Sequence, residues 1–243
     1  YVARMSNVAL VTGGATRVGR AISLGLAEAG YDLVINFRTS GDEALEVEAL
    51  AREMGRKVVL VEGDVSKGLD VRRCVDAAAE RLGRLDLLVN NASLFHATPF
   101  RQIEEEEWDE VMAVNVRGPF LAMQAAADML ATAHGSVVNM VDLSALEPWV
   151  DFAHHAASKA ALLQLTRVMA KTLAPDVRVN AIAPGSVLLP DHYTEAQREA
   201  SRTRTALGSL GSPEDVVRTV LFLADSPFVT GEVIVVDGGR LLT

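Results

Sequence analysis

Three side chains in one stretch have the types and spacing to handle a proton. Residues 137–141 form an apolar run led in by Gly135-Ser136, and Asp142 follows it directly. Such a run reads as a strand buried on both faces. Asp142 is then at its carboxyl end, the edge where open parallel sheets bind ligands. From about Asp151, small and apolar residues recur at helical spacing. His155 and Lys159 therefore fall at i and i+4 on one face, with Phe152 a turn earlier. An acid, an imidazole and an ammonium meeting at that edge make a proton-transfer site. A His and a Lys four apart are also what an ordinary solvated helix face carries, so the elements that position them decide between the two.

Composition bounds those elements. At 243 residues, 49% hydrophobic and 23% charged, the chain has material for one large α/β core, and no linker, repeat or charge block divides it. Residues 5–243 read as one domain and residues 1–4 as leader. No apolar run approaches the 18 or so residues of a membrane span. The formal charge of −9, without a cluster of Lys and Arg, argues against a nucleic-acid or anionic-membrane surface. Cys74 is the single cysteine, which excludes an internal disulfide and a thiolate metal cluster, and on a helix it reads as a core filler. With no signal peptide visible, the expected compartment is the cytoplasm.

The chain alternates strands and helices. Residues 8–12 read as a buried strand, and Gly13-Gly14-Ala15-Thr16-Arg17-Val18-Gly19-Arg20 as a tight turn into a helix. Free backbone N–H groups and the positive helix end make such a turn a phosphate site. The spacing misses G-x-G-x-x-G, because Thr16 stands at the second glycine. The second strand, residues 32–37, ends without the acid that would bond an adenosine ribose 2′-OH, and Arg38 follows. That favours a 2′-phosphate, hence NADPH. Asp42 and Glu43 suit the start of the next helix. A strand at 57–61 leads to Gly63-Asp64-Val65, and one at 85–89 leads to Asn90-Asn91-Ala92-Ser93-Leu94-Phe95, whose small and amide residues leave room for a flat ligand. Residues 103–133 read as a long helical region with acids 104–107 at its start and Asn115 within it. Residues 177–183 form a sixth strand before Pro184-Gly185. Residues 186–211, holding Pro190, His192 and Tyr193, lack a periodic core face and read as a mobile lid or substrate loop. Ser212-Pro213 starts another helix, and residues 232–236 make the seventh strand.

Thr12-Gly13, Gly19, Asp64-Val65, Asn90-Asn91-Ala92, Asn115, Lys159 on its helix, Pro184-Gly185 and Val236-Asp237-Gly238-Gly239 together resemble the short-chain dehydrogenase/reductase family over almost the whole chain. The resemblance implies a doubly wound, Rossmann-type, seven-stranded parallel sheet with helices on both faces, a nicotinamide cofactor and a homotetramer. Four departures point one way: Arg17 where the family usually has Gly, Ser93 after Asn-Asn-Ala, Phe95 just beyond, and Asp142 where Ser is usual. That set is similar to the pteridine reductases. By that resemblance NADPH lies against Gly13, Thr16, Arg17, Val18, Gly19, Asn36, Phe37, Arg38, Asp64, Val65, Asn91, Ala92, Ser93, Lys159, Pro184 and Gly185. A pterin-like substrate lies against Arg17, Ser93, Phe95, Asp142 and His155, and Asp142, His155, Lys159 and Asn115 are catalytic.

One position departs from both patterns: the family's Tyr-x-x-x-Lys is here His155-Ala156-Ala157-Ser158-Lys159. The expected activity is NADPH-dependent reduction of a C=N bond in a pterin or dihydropterin, with the proton arriving from the Asp142/His155/Lys159 side. An imine nitrogen is easier to protonate than a ketone oxygen, which makes a His acid workable. The alternatives are an NADP-dependent carbonyl reductase of another small substrate, and an NADP-binding member of the family with impaired catalysis.

Overall fold

The computed structural model describes residues 6–190 and 193–243. The expected leader, residues 1–4, lies outside the described residues, as do Met5 and His192.

Seven short strands, rich in β-branched and aliphatic residues, form one wholly parallel sheet in the order β3-β2-β1-β4-β5-β6-β7. They are β1 (Val8–Val11), β2 (Asp32–Phe37), β3 (Val58–Glu62), β4 (Leu87–Asn90), β5 (Ser136–Met140), β6 (Arg178–Pro184) and β7 (Val233–Val236). Strand alternation sends Ala9 and Val11 to one face of β1 and Val8 and Leu10 to the other. The first pair packs with Ile22 and Leu26 of α1 (Arg17–Glu28), Val47 of α2 (Gly41–Glu53) and Val216, Val220 and Leu223 of α8 (Pro213–Asp225). The second pair packs with Val71, Cys74 and Val75 of α3 (Gly68–Leu82) and Met123, Ala126 and Leu130 of α5 (Gly118–Ala133). Both faces are covered, which is why the strands read as unbroken apolar runs. Cys74 fills this core as expected, and burial pushes its thiol up to about 12. Asp42 and Glu43 occupy the first turn of α2.

Strand order reverses between β1 and β4, which opens a crevice at the carboxyl edge there. The helical region expected over 103–133 is α4 (Glu105–Met112) and α5 joined by a π-helical turn, Ala113–Arg117. Pro119 explains the break. In an α-helix the carbonyl of Asn115 takes the N–H of residue 119, which proline lacks, so the turn widens around Asn115. Gly118 lets that turn approach β3's exit, since a Cβ there would lie 3.0 Å from the Val65 carbonyl oxygen.

The segment 186–211 differs from the expected loop. It contains α7 (Glu195–Thr203), whose Thr194 hydroxyl accepts from Gln197 N (3.3 Å) while Gln197 Oε1 accepts from Thr194 N (2.8 Å). No residue of α7 is buried, so the helix has no apolar stripe to announce it. α6 (Ala153–Thr172) carries His155 and Lys159.

Candidate functional site

The crevice holds a cavity of about 420 Å³ walled by Gly13, Thr16, Arg17, Val18, Gly19, Asn36, Phe37, Arg38, Asp64, Val65, Asn91, Ala92, Ser93 and Phe95. Its floor is drawn together by a few side chains. Thr12 Oγ1 accepts from Asn91 N (3.0 Å) and Ala92 N (3.1 Å), and Asn91 Nδ2 donates to the Thr12 and Gly13 carbonyls (3.0 Å each). Asn36 donates to the carbonyls of Val61 (3.3 Å) and Gly63 (2.9 Å). Asn36 and Asn91 are thus posts that shape the turn and leave backbone to face a ligand. A Cβ on Gly19 would sit 2.1 Å from the Gly13 oxygen, so the turn closes only with glycine there.

Arg17 takes φ 51, a left-handed conformation costing a non-glycine residue on the order of 1 kcal/mol. Its guanidinium leaves the turn and donates to the Leu188 carbonyl (3.3 Å), spanning the cavity mouth toward the 186–211 segment. Arg38 is half-exposed, with Glu110 3.9 Å away, a contact of little energetic weight. Burial tends to raise the Asp64 carboxyl, but hydrogen bonds from Ser66 and the charges of Arg38 and Lys67 hold it below the ordinary range.

Asp142, His155, Lys159 and Asn115 form a second, buried cluster beside the cavity. Asp142 Oδ1 accepts from Ser144 N (2.9 Å) and from the Ser144 hydroxyl, and His155 Nε2 is 2.7 Å from Asp142 Oδ2. His155 Nδ1 is 3.0 Å from the Leu94 carbonyl, which can only accept, so Nδ1 carries a hydrogen. One further proton lies between Nε2 and Oδ2. The pair is either imidazolium with carboxylate or imidazole with carboxylic acid. Burial favours a protonated Asp142, but the His155 hydrogen bond, the Lys159 and His155 charges and Ser144 outweigh it and hold the carboxyl low. Both ring nitrogens are engaged and the His155 side chain is 1% exposed against 19% for Asp142, so His155 reaches a ligand only through Asp142.

Lys159 does not touch Asp142. Its Nζ donates to the Met140 carbonyl (2.9 Å), burial lowers its pKa, and its charge acts on Asp142 through space. Asn115, in the π turn, accepts from Leu94 N (2.8 Å) and donates to Leu94 O (3.0 Å) and Ser158 Oγ (3.0 Å). Leu94 is thus the backbone hub joining β4's exit to α6. Ser93, exposed, donates to the same carbonyl at 3.3 Å. Phe95 couples the two halves. It lines the cavity, is 58% exposed, and meets His155 edge-on (centroids 4.9 Å, 87°) and Phe152 at 4.8 Å.

Pro184 and Gly185 stand apart from this constellation. They end β6, with Gly185 N donating to the Val236 carbonyl (2.9 Å), and are not on the cavity wall. Sequence reasoning passed over Leu94, Ser144, Ser158 and Trp149. Asp-x-Ser at 142–144 was the one legible signal among them, the spacing of a side-chain-capped turn. Glu107 also does more than open a helix: it accepts from Thr98 Oγ1 (2.6 Å) and lies 3.2 Å from Nε2 of the fully buried His154, pinning α4 to α6.

A family model described as enoyl-(acyl carrier protein) reductase matches residues 13–240. The chain is 35% identical to a Hericium erinaceus protein named as a short-chain dehydrogenase/reductase, over 96% of this chain and 97% of that one. It is 37% identical to a Streptomyces violaceoruber protein named for ketoacyl reductase 2 of the granaticin polyketide synthase, over 97% and 96%. A short-chain dehydrogenase from Burkholderia cenocepacia, solved in complex with NADP, superposes with a TM-score of 0.91 at 34% identity, over 97% and 98%.

Proposed function

Because this chain belongs to the short-chain dehydrogenase/reductase family, we propose that it is an NADPH-dependent reductase of a pterin or dihydropterin, of the pteridine reductase type. The observation that carries the reading is Phe95, a mostly exposed ring at the cavity wall in edge contact with the proton-holding pair. A planar heterocycle stacked there lies between the dinucleotide crevice and Asp142.

The crevice fits the cofactor. Its turn tolerates no side chain at Gly19, its N–H groups open at a helix start, and Arg17 and Arg38 suit a phosphate in the absence of an acid at β2's end. Gly13, Thr16, Val18, Asp64, Val65, Ala92 and Ser93 line the remaining wall. When bound, NADPH supplies the hydride that reduces the C=N carbon. The chain's own residues supply the proton: the His155–Asp142 pair holds it at Nε2/Oδ2, and Asp142 passes it to the nitrogen. Lys159 keeps Asp142 ionised between turnovers, and Asn115 fixes Leu94 so that His155 keeps its orientation. The family supports a homotetramer, and the single buried Cys74 suits a reducing cytoplasm; light scattering on the purified chain reads the first. On this reading residues 5–243 make up one domain.

The name of the Streptomyces relative favours a second reading, reduction of a keto group. NADPH oxidation with dihydrobiopterin beside a panel of small ketones separates the two. Turnover of the pterin is expected, and ketone turnover with none of pterin overturns the pterin assignment. Tight NADPH binding without turnover of either leaves an impaired family member.

A further inference from the structure

We propose that Arg240 is a positioning residue for the substrate, holding Trp149 as the outer ring of an aromatic wall that begins at Phe95. This rests on the reading of Phe95 as the substrate-facing ring.

Trp149 packs edge-on against Phe95 (6.2 Å, 90°) and Phe152 (5.7 Å, 75°), so the orientation of Phe95 depends on where Trp149 stands. Trp149 is held from behind. Its Nε1 donates to Glu147 Oε1 (2.8 Å), Arg240 Nη2 donates to that same oxygen (3.0 Å), and the Arg240 guanidinium carbon sits 5.4 Å from the Trp149 ring centroid. Only 14% of the Arg240 side chain is exposed, and its buried Nε has no partner among the described residues. A buried cation with an unmet donor is costly. What offsets the cost here is the ring and the shared carboxylate.

Asp237 fixes the backbone that presents Arg240, accepting from Gly239 N and Leu241 N at 2.8 Å each. The same turn takes Leu207 N on the Gly238 carbonyl (3.0 Å), and Thr243 Oγ1 donates to the Arg204 carbonyl (2.9 Å). The residues after α7 and the aromatic wall therefore share one support, and a shift of either is felt by the other.

The chain has two tryptophans, so Trp108→Phe leaves Trp149 as the sole tryptophan, read by exciting at the red edge of the absorption band where tyrosine does not absorb. In that background Arg240→Ala is expected to shift Trp149 emission to the red and make it more accessible to acrylamide, with Arg240→Lys intermediate. It is also expected to raise KM for the substrate roughly fivefold to tenfold, the scale of one partly buried cation–π contact, while kcat and the Kd for NADPH stay within twofold. Unchanged Trp149 emission overturns the clamp whatever the substrate. Changed emission with unchanged KM for every substrate turned over overturns its role in the site. If the enzyme takes ketones rather than pterins, the pterin reading fails, and the clamp still stands or falls on the ketone KM.

Discussion

The two sides of the site are built on opposite plans. On the cavity side, amides such as Asn36 and Asn91 bond backbone, and the wall carries the start of α1 and two arginines on long tethers of 3.3 and 3.9 Å. On the proton side, Asp142, His155, Asn115, Ser144 and Ser158 bond one another and the Leu94 hub at 2.6–3.0 Å, nearly out of solvent. The first arrangement leaves its strong interactions to an incoming anion. The second has spent its hydrogen bonds internally and has one outlet, Asp142. Substitutions on the first side should therefore change binding, and on the second, turnover.

Asp142→Asn should have the largest effect. Removing the outlet loses roughly 10²–10⁴-fold in turnover at every pH, the range of general acid catalysis, with the NADPH Kd within twofold; matched losses in both would erase the distinction between the sides. Arg38→Ala should weaken NADPH by about 1.5–3 kcal/mol, roughly tenfold to a hundredfold, and leave NADH nearly untouched. Titration of both cofactors checks this, and equal wild-type Kd values for the two contradict it. Phe95→Ala should raise the dihydropterin KM about fivefold at constant NADPH affinity, a stacking contact on the order of 1 kcal/mol; a shifted NADPH affinity would move Phe95 to the cofactor side.

The smallest effect is on stability. Because the Asp142 carboxyl is depressed in the folded protein, its contribution is complete at neutral pH and is lost as pH falls below the ordinary carboxylate value through the folded one. The wild-type melting temperature should fall more steeply over that acid window than that of Asp142→Asn. Parallel curves would mean Asp142 is not held low.

The sheet was legible because strands buried on both faces write their positions as contiguous apolar runs, and all seven lie within about two residues of where the sequence places them. Asp142, His155 and Lys159 were legible as neighbours through strand end and helical spacing, but not the division of labour among them. That is set by the Leu94 carbonyl, a backbone atom no side-chain pattern reports. The π turn had its signal in Gly118-Pro119. α7 had its own in Thr194 and Gln197, though without a buried face it lacked the periodicity that would have drawn notice. The Arg240–Glu147 pair, 93 residues apart, exists only once the sheet is assembled.

The central claim is that the proton is shared by His155 and Asp142 and leaves through Asp142. The pH profile of kcat/KM for His155→Phe, with NADPH saturating and dihydrobiopterin varied, tests it most directly. Without its partner, Asp142 must hold the proton alone as a carboxylic acid, a form that carboxyl groups favour in acid solution. The variant should therefore be weak at neutral pH and recover as the solution is acidified, with its falling limb well to the acid side of wild type. A wild-type profile in His155→Phe, or a variant as inactive at acid pH as Asp142→Asn, would contradict the account.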